Sequence, residues 1–249
     1  DRTVTLELAL DQPLTAQSVV QRVRGSAQRA LIVCNTVDRA RNLFSQLSDA
    51  GISADLLLHS RFKDSHREKL EAKVNKLLGK PGEQRALVVA TQVVEVGLDI
   101  SCDLLLTELC SADALIQRAG RCARWGGPGR VVVFGLPGED GASAAPYEAS
   151  LISETVKALE KVAGNSSEVL LSWKTEQELV DKALTEFYTQ YLDPNKAARA
   201  AANLANAAFT GSRRDAEQAV RENDSIEVSL HKDPQALEGR LRLLPTIPV

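Results

Sequence analysis

Short apolar runs alternate with amphipathic stretches through the first half of the chain. Residues 4–10 alternate between apolar and polar, which predicts a strand with one packed face, and residues 15–24 follow as a helix. Further strands are predicted at residues 30–34, 54–58, 86–90, 103–107 and 130–134. Amphipathic segments of helical period separate these strands. The alternation predicts an α/β fold with a doubly wound, mostly parallel sheet.

A change of composition follows the last of these strands. Between Leu136 and Pro146 the sequence is rich in glycine, alanine and proline, and strand-like runs stop. We therefore expect two domains: residues 1–140 carry the sheet, and residues 141–249 form a mainly helical accessory region with a strand near residues 226–230. Four aromatic residues of that region could stack on nucleic-acid bases, but their helical spacing favours packing between its helices: Trp173, Phe187, Tyr188 and Tyr191.

Charge and metal-binding residues exclude some functions. The 30 basic and 33 acidic residues give a formal net charge of −3, so binding to nucleic acid would need a local patch. The four cysteines are scattered and the three histidines are spread singly. We expect reduced, buried cysteines and no metal site.

No membrane partner is expected. No apolar run approaches the roughly 18 residues that a membrane span requires, and no signal peptide is recognisable. The sequence therefore predicts a soluble, cytoplasmic protein. It contains no methionine and starts with Asp1, and we expect it to be a piece of a longer translated chain.

Three loops carry unusual polar residues. In doubly wound sheets, ligands bind at the carboxyl ends of the strands. The loops Cys34–Thr36, His59–Arg61 and Thr91–Ile100 each follow a predicted strand and therefore meet at one edge of the sheet. Structural interpretations stay open beside this one. Thr36 could cap the next helix, and His59 could be a hydrogen-bonded loop residue.

A fourth segment concentrates positive charge. Arg118, Arg121 and Arg124 recur every three residues and project to one side of a helix or tight turn. Three guanidinium groups repel one another unless an anion lies between them, and a polyphosphate is the natural anion. A solvated helix end, at which arginine complements the helix dipole, is the alternative. Gly120 argues against an ordinary helix, because glycine costs roughly 1 kcal/mol there relative to alanine.

Two motifs carry a family resemblance. Gln117–Arg124 has the pattern Q-R-x-G-R-x-x-R and resembles the sixth motif of superfamily 2 helicases. Ala90–Ile100 resembles their fifth motif, A-T-x-x-x-x-x-G-L-D-I. The similarity spans roughly residues 29–135 and implies a RecA-like helicase C-terminal lobe. Within the superfamily, His59–Phe62, Arg67 and Gln92–Ile100 resemble the helicase-nuclease of type I CRISPR interference systems.

The resemblance assigns roles to single residues. Arg121 and Arg124 match the catalytic arginine fingers that reach the γ-phosphate of an ATP molecule held by the other lobe. Four residues match positions around the nucleotide: Gly97, Asp99, Gln117 and Arg118. Of these, Arg118 matches a position that couples the arginine loop to the rest of the site. Gln117 stands where many relatives have histidine, which leaves its contact open.

A second group matches or neighbours positions on the phosphodiester backbone of a bound strand. It comprises Thr36, Ser60, Arg61, Arg67 and Thr91. Hydroxyls and amides that bind phosphate oxygens read no bases, so such a grip is independent of nucleic-acid sequence. Glu95 could be a structural partner of an arginine.

The parts of a helicase that are missing from this sequence are also informative. Neither G-x-x-x-x-G-K-[ST] nor an Asp-Glu pair after a strand occurs. ATP and Mg²⁺ are therefore expected to be held mainly by a companion N-terminal RecA-like lobe outside this chain, and the chain alone is expected to be inactive. No His-Asp dipeptide of the kind found in the nuclease site of the resembled enzymes occurs either.

These observations predict the C-terminal lobe of an ATP-driven motor that moves along single-stranded DNA in CRISPR interference, with a CRISPR surveillance complex as a partner. An RNA helicase lobe is an alternative, because both nucleic acids have the phosphates that these motifs contact. A non-enzymatic docking module is another alternative, although a scaffold has no use for arginine fingers. A dinucleotide-binding enzyme is set aside, because the G-x-G-x-x-G turn is absent.

Overall fold

The computed structural model describes residues 2–24, 29–80, 85–138 and 141–191, together with residues 202, 205, 227–229 and 246–248. The chain divides into two compact units, Asp1–Ala183 and Leu184–Val249. The functional motifs found in the sequence all lie in the first unit.

The first unit is built on a seven-stranded sheet. Its strands are β1 (Arg2–Pro13), β2 (Arg29–Val33), β3 (Leu56–Leu58), β4 (Ala86–Ala90), β5 (Leu104–Glu108), β6 (Gly127–Gly135) and β7 (Glu168–Leu171). Their order is β3-β4-β2-β5-β6-β1-β7. Every neighbouring pair is parallel except β1 and β7, which are antiparallel. The predicted doubly wound, mostly parallel α/β fold is confirmed.

Among the residues that the structure describes, six helices connect or follow these strands. They are α1 (Ala16–Val23), α2 (Val37–Asp49), α3 (Asp64–Leu78), α4 (Ala112–Ala119), α5 (Ala149–Ala163) and α6 (Trp173–Tyr191). Short 3-10 turns occur at Gln92–Val94 and Gly141–Ala144. Within the second unit, β8 (Glu227–Ser229) pairs antiparallel with β9 (Thr246–Pro248), in agreement with the strand predicted near residues 226–230.

Both faces of the sheet are buried, as parallel sheets require. Along β2, Leu31 and Val33 enter the core beneath α3, α4 and α5, whereas Ala30 and Ile32 enter the core beneath α1 and α2. This alternation follows from the two-residue period of a strand. A run of five apolar or small residues such as β4, Ala86–Ala90, is therefore buried on every side.

The segment after residue 140 begins by returning to the sheet. β7 pairs with β1, and Ile152 and Leu159 of α5 join the core above the sheet. Residues 141–183 therefore lie in the compact unit that holds the motifs, and the glycine-rich stretch is a connection within that unit. The division at residue 140 stays a prediction about domains.

Trp173 departs from its prediction. It was expected to pack between helices, but it is 77% exposed at the first position of α6. Leu170, three residues before the start of that helix, is 57% exposed. Helical spacing alone did not reveal that the first residue of α6 is exposed. The side chains of Phe187, Tyr188 and Tyr191 lie outside the described residues.

The cysteines are buried and free, as predicted. Burial raises the pKa of Cys110 to about 12, and it raises the pKa of Cys102 well above its usual range. Their thiols therefore stay protonated at neutral pH. In the described part of the chain, no helix is long and apolar enough to cross a membrane.

Candidate nucleotide and nucleic-acid site

The loop that follows β4 presents a short exposed segment on a buried base. Thr91 is buried, and Leu98 and Ile100 anchor the far end of the loop in the core. Between these anchors, Gly97 adopts φ +84°, a left-handed conformation that glycine tolerates without strain. Val96, Gly97 and Asp99 are exposed. The loop therefore offers backbone and a carboxylate to a ligand.

The loops after β2, β3 and β4 meet at the same edge, as the sheet order requires. The Thr91 amide donates to the Leu58 carbonyl at 3.1 Å. The Gln92 side-chain amide donates to the Asn35 carbonyl at 2.7 Å. These bonds fix the relative positions of the three loops.

An isolated parallel bridge between Cys102 and Cys122 helps to fix the arginine loop after α4. The Cys102 amide donates to the Arg121 carbonyl and the Ala123 amide donates to the Cys102 carbonyl, both at 2.8 Å. The Arg124 amide donates to Ser101 Oγ at 3.0 Å. Ala123 has φ 48°, so the chain turns sharply between the two arginines.

Arg121 lies against the loop that follows β4. Its Nε donates to the Val94 carbonyl at 3.0 Å, and its Nη2 donates to the Glu95 carbonyl. The side chain is half-buried. Burial lowers the pKa of Arg121, and the charge of Arg124 lowers it further. Two positive charges are thus held close together, which is the arrangement that attracts a polyanion.

Arg124 and Asp99 form an exposed ion pair. Arg124 Nε lies 2.9 Å from Asp99 Oδ1, and the two side chains are 42% and 72% exposed. Exposed pairs contribute only about 0–1 kcal/mol to stability. Arg124 can therefore leave Asp99 to bind a phosphate, and Asp99 can then accept a hydrogen bond from a hydroxyl, with little loss of stability.

Arg118 has the opposite environment. Its side chain is 0% exposed, and its Nε lies 2.8 Å from Glu95 Oε1. Its remaining donors are taken by Asn35 Oδ1, Thr107 Oγ1, the Glu108 carbonyl and the Tyr147 hydroxyl. Burial acts to lower the pKa of Arg118, but Cys110, Tyr147 and Glu95 act to raise it and prevail.

The enclosed position of Arg118 changes its assignment. The resemblance placed it among the residues around the nucleotide, but its guanidinium is surrounded by protein and leaves no face for a ligand. We therefore assign it a coupling role instead of nucleotide contact. Gln117, the adjacent residue on α4, is exposed and remains a candidate for that contact.

Glu108 forms a second buried acidic centre. Its side chain is 3% exposed, and its Oε2 accepts from the backbone amide of Asn35 at 2.6 Å. Arg39 Nε lies 3.4 Å from its other carboxylate oxygen. Burial raises the pKa of Glu108, and the bond from Asn35 and the charge of Arg39 oppose that shift.

The residues assigned to a nucleic-acid strand differ in accessibility. Arg61 is the most exposed, with 51% of its side chain accessible, and it pairs with Asp38 at 3.3 Å. Thr36 is the N-cap of α2 and accepts from the Arg39 amide at 3.3 Å, so the capping interpretation is confirmed. Ser60 is half-buried and Thr91 is buried.

Arg67 differs from the other four residues in lying within a helix. It is on α3 and pairs with Glu71, one turn further along, at 2.7 Å. None of the contacts described for Arg67 joins it to Thr36, Ser60 or Thr91. Its position on the strand path is therefore supported by the resemblance alone.

His59 is a satisfied loop residue. Its ring stacks on Phe62 with centroids 4.1 Å apart, and its Nδ1 accepts from the Arg61 amide at 3.2 Å. Burial lowers the pKa of His59, and the nearby Arg41 and Arg61 lower it further. The imidazole is therefore neutral at pH 7 and shapes the backbone that carries Arg61.

Four residues that the sequence did not mark are central to this site: Asn35, Arg39, Glu108 and Tyr147. Asn35 was considered only within its loop. Tyr147 lies 29 residues beyond Arg118 in the composition-biased stretch, and no local pattern connects the two. The described residues hold no group of three or more side chains suited to a metal ion.

Comparison with known proteins agrees with this geometry. Residues 26–126 match the family model described as CRISPR-associated nuclease/helicase Cas3, C-terminal. The CRISPR-associated helicase Cas3 of Thermoproteus tenax is 37% identical over 160 residues, which are 63% of this chain and 26% of that protein. The CRISPR-associated endonuclease/helicase Cas3 of Escherichia coli is 36% identical over 125 residues, which are 49% of this chain and 14% of that protein.

Solved structures agree as well. The crystal structure of T. fusca Cas3-ATP superposes with a TM-score of 0.64 at 26% identity, covering 80% of this chain and 26% of that one. Residues 26–126 are similar to the C-terminal part of Cas3 nuclease/helicases. The predicted superfamily 2 and CRISPR resemblance is thereby confirmed. The chain spans about a quarter or less of the length of these Cas3 relatives.

Proposed function

We propose that this Cas3-like chain is the second motor lobe of an ATP-dependent helicase that translocates on single-stranded DNA in CRISPR interference. One observation carries the proposal. Arg121 and Arg124 are both held against the loop that follows β4, Arg121 by the Val94 carbonyl and Arg124 by the exposed Asp99. The loops assigned to strand binding share the carboxyl edge of the sheet with that loop.

The two arginines are proposed to act as catalytic fingers. Hydrolysis of ATP places additional charge on the γ-phosphoryl oxygens and the bridging oxygen in the transition state. A fixed guanidinium neutralises that charge without reorganisation, an effect worth about 10³ to 10⁵ in rate in related enzymes. The exposed Arg124 can leave Asp99 cheaply, and Asp99 can then accept a nucleotide hydroxyl. Gly97 allows close backbone approach beside it.

The strand-binding role is assigned to Thr36, Ser60, Arg61, Arg67 and Thr91. Arg61 is the strongest candidate, because its guanidinium is accessible and its partner Asp38 is also exposed. Thr91 is buried, so we expect it to position the loop more than to touch a phosphate. Contacts of this kind grip the backbone without reading bases, as translocation requires.

The rest of the motor is proposed to lie outside this chain. A companion N-terminal RecA-like lobe would hold ATP and Mg²⁺, since the phosphate-cradling motif is absent from this sequence. Closure of the two lobes on ATP and reopening after hydrolysis would move the strand grip. The names of the relatives support a role in a CRISPR system. A CRISPR surveillance complex as a partner and a cytoplasmic location are further parts of this proposal.

The test is the ATPase activity of the full parent chain, without nucleic acid and with single-stranded DNA or RNA. Arg121→Ala is compared with Arg85→Ala, because Arg85 precedes β4 at the opposite edge of the sheet. We expect DNA to stimulate turnover, Arg121→Ala to lower it a hundredfold or more, about 2.7 kcal/mol, and Arg85→Ala to leave it within twofold. Stimulation by RNA alone would favour the RNA helicase. Absence of stimulated turnover would favour a docking module.

A further inference from the structure

The chain beyond β6 returns to the site and is held there by two arginines. Arg39 Nη1 donates to the Ser143 carbonyl at 3.0 Å, and its Nη2 donates to the Ala145 carbonyl at 2.9 Å. Arg118 Nη2 donates to the Tyr147 hydroxyl at 2.9 Å. The same arginines contact Glu108, the last residue of β5, and Glu95, in the loop that follows β4. This connection is therefore a built part of the site.

Tyr147 contacts the arginine motif with its hydroxyl group, which accepts from Arg118 Nη2. Its ring packs against the core. Burial raises the pKa of Tyr147, against a lowering effect of Arg118, so the hydroxyl keeps its proton at neutral pH.

A chain of contacts leads from this hydroxyl to the proposed finger. The Tyr147 hydroxyl orients Arg118, and Arg118 Nε holds the Glu95 carboxylate at 2.8 Å. The backbone carbonyls of Val94 and Glu95 in turn hold the Arg121 guanidinium. Each link is a hydrogen bond to a charged group, which is stronger than one between neutral groups.

We propose that Tyr147 is a positioning residue for the arginine-finger loop, acting through Arg118 and Glu95. Its consequence for turnover rests on the proposed ATPase function, whereas its consequence for loop order does not. Because α5 begins at Ala149, two residues after Tyr147, displacement of that helix would reach the finger loop through the same hydroxyl. A displacement of α5 in the accessory region would therefore alter the position of the arginine-finger loop.

The test uses Tyr147→Phe in the full parent chain. This change removes the hydroxyl and retains the packed ring, so the fold is expected to persist. The matched control is Thr155→Val, which removes a buried hydroxyl from α5 that bonds only to the Leu151 carbonyl of its own helix among the described contacts.

The first measurement is hydrogen exchange of residues 92–100 and 118–124 by mass spectrometry. Because Arg118 loses the Tyr147 hydroxyl as an acceptor, the amides of these two segments should exchange at least about tenfold faster in Tyr147→Phe. Thr155→Val should exchange as the unmodified protein does. Equal exchange in the two variants overturns the proposal, whatever the ATPase activity.

The second measurement is steady-state ATPase activity with DNA. A displaced Arg121 stabilises the transition state less well, whereas nucleotide binding changes little. We therefore expect kcat to fall about tenfold while KM for ATP stays within about twofold. Unchanged kcat together with faster exchange would overturn the link to the finger. If the unmodified protein shows no stimulated ATPase, the proposed function fails, and hydrogen exchange still decides the role of Tyr147.

Discussion

Arg118 and Glu95 form a buried ion pair that joins the two helicase motifs of this chain. Their Nε and Oε1 atoms are 2.8 Å apart, and the side chains are 0% and 12% exposed. Burial raises the pKa of Glu95 while Arg118 opposes that shift, so the carboxylate depends on its partner to stay charged. A buried pair of this kind costs about 3–5 kcal/mol to break from one side. The pair therefore belongs to the permanent frame of the site.

We predict that lysine cannot replace the planar guanidinium group of Arg118. Arg118→Lys keeps the charge but cannot reach the four side chains and the carbonyl that the guanidinium bonds. We expect the free energy of unfolding in urea to fall by about 2–4 kcal/mol. Arg130→Lys is the control, because Arg130 is 47% exposed and its ion pairs should matter by less than about 1 kcal/mol. Equal losses would contradict the central position of Arg118.

Gly129 is predicted to be needed for the arginine loop. A Cβ atom added there would lie 2.6 Å from Cys122 Sγ and 2.9 Å from Ala123 Cβ, so the loop must move. We expect Gly129→Ala to destabilise the protein by about 1–3 kcal/mol in thermal unfolding. At Gly120 the nearest atom to an added Cβ is 3.3 Å away, and Gly120→Ala should change stability by less than about 1 kcal/mol. Tolerance of alanine at both positions would argue against a tightly packed loop.

The exposed pair of Asp99 and Arg124 should affect function more than stability. Asp99→Ala is expected to change the free energy of unfolding by less than about 1 kcal/mol and to raise KM for ATP about fivefold through loss of a hydroxyl contact. Asp38→Ala is the matched control, since Asp38 is 68% exposed and pairs with Arg61 in a similar way. An equal rise of KM in both variants would show that Asp99 does not contact the nucleotide.

The lowered pKa of His59 predicts that the folded protein loses stability in mild acid. Its pKa in the folded protein is lowered by burial and by Arg41 and Arg61, with Asp38 opposing. A lowered pKa stabilises the fold above the unfolded value of about 6.5, and that contribution is lost as the pH falls through the folded pKa. Urea unfolding at pH 7.5 and pH 5 should therefore show a larger loss for the unmodified protein than for His59→Gln. The same loss in both would exclude His59 as its source.

The fold and the motif positions were predictable from the sequence, because strand and helix periods are local. The loops after β2, β3 and β4 share an edge in any parallel sheet, so their meeting followed from the alternation of elements. The interior of the site was not predictable in this way. Glu95 and Arg118 are 23 residues apart, and their pairing depends on how α4 packs on the sheet.

Tyr147 shows the same limit more sharply. Its sequence neighbourhood is rich in glycine, alanine and proline, and it predicted a boundary between domains. The structure instead returns this stretch to the sheet, where Arg39 and Arg118 hold it. Arginine donors that are buried among distant acceptors leave no periodic signal in a sequence.

The central claim is that Arg121 stabilises the transition state of ATP hydrolysis. Single-turnover cleavage of ATP by the full parent chain with saturating single-stranded DNA separates that step from binding. The account predicts that Arg121→Ala slows cleavage a hundredfold or more while the Kd for ATP changes less than about threefold, and that Arg85→Ala changes neither. Cleavage at the same rate in both variants, or a loss explained wholly by weaker ATP binding, would contradict it.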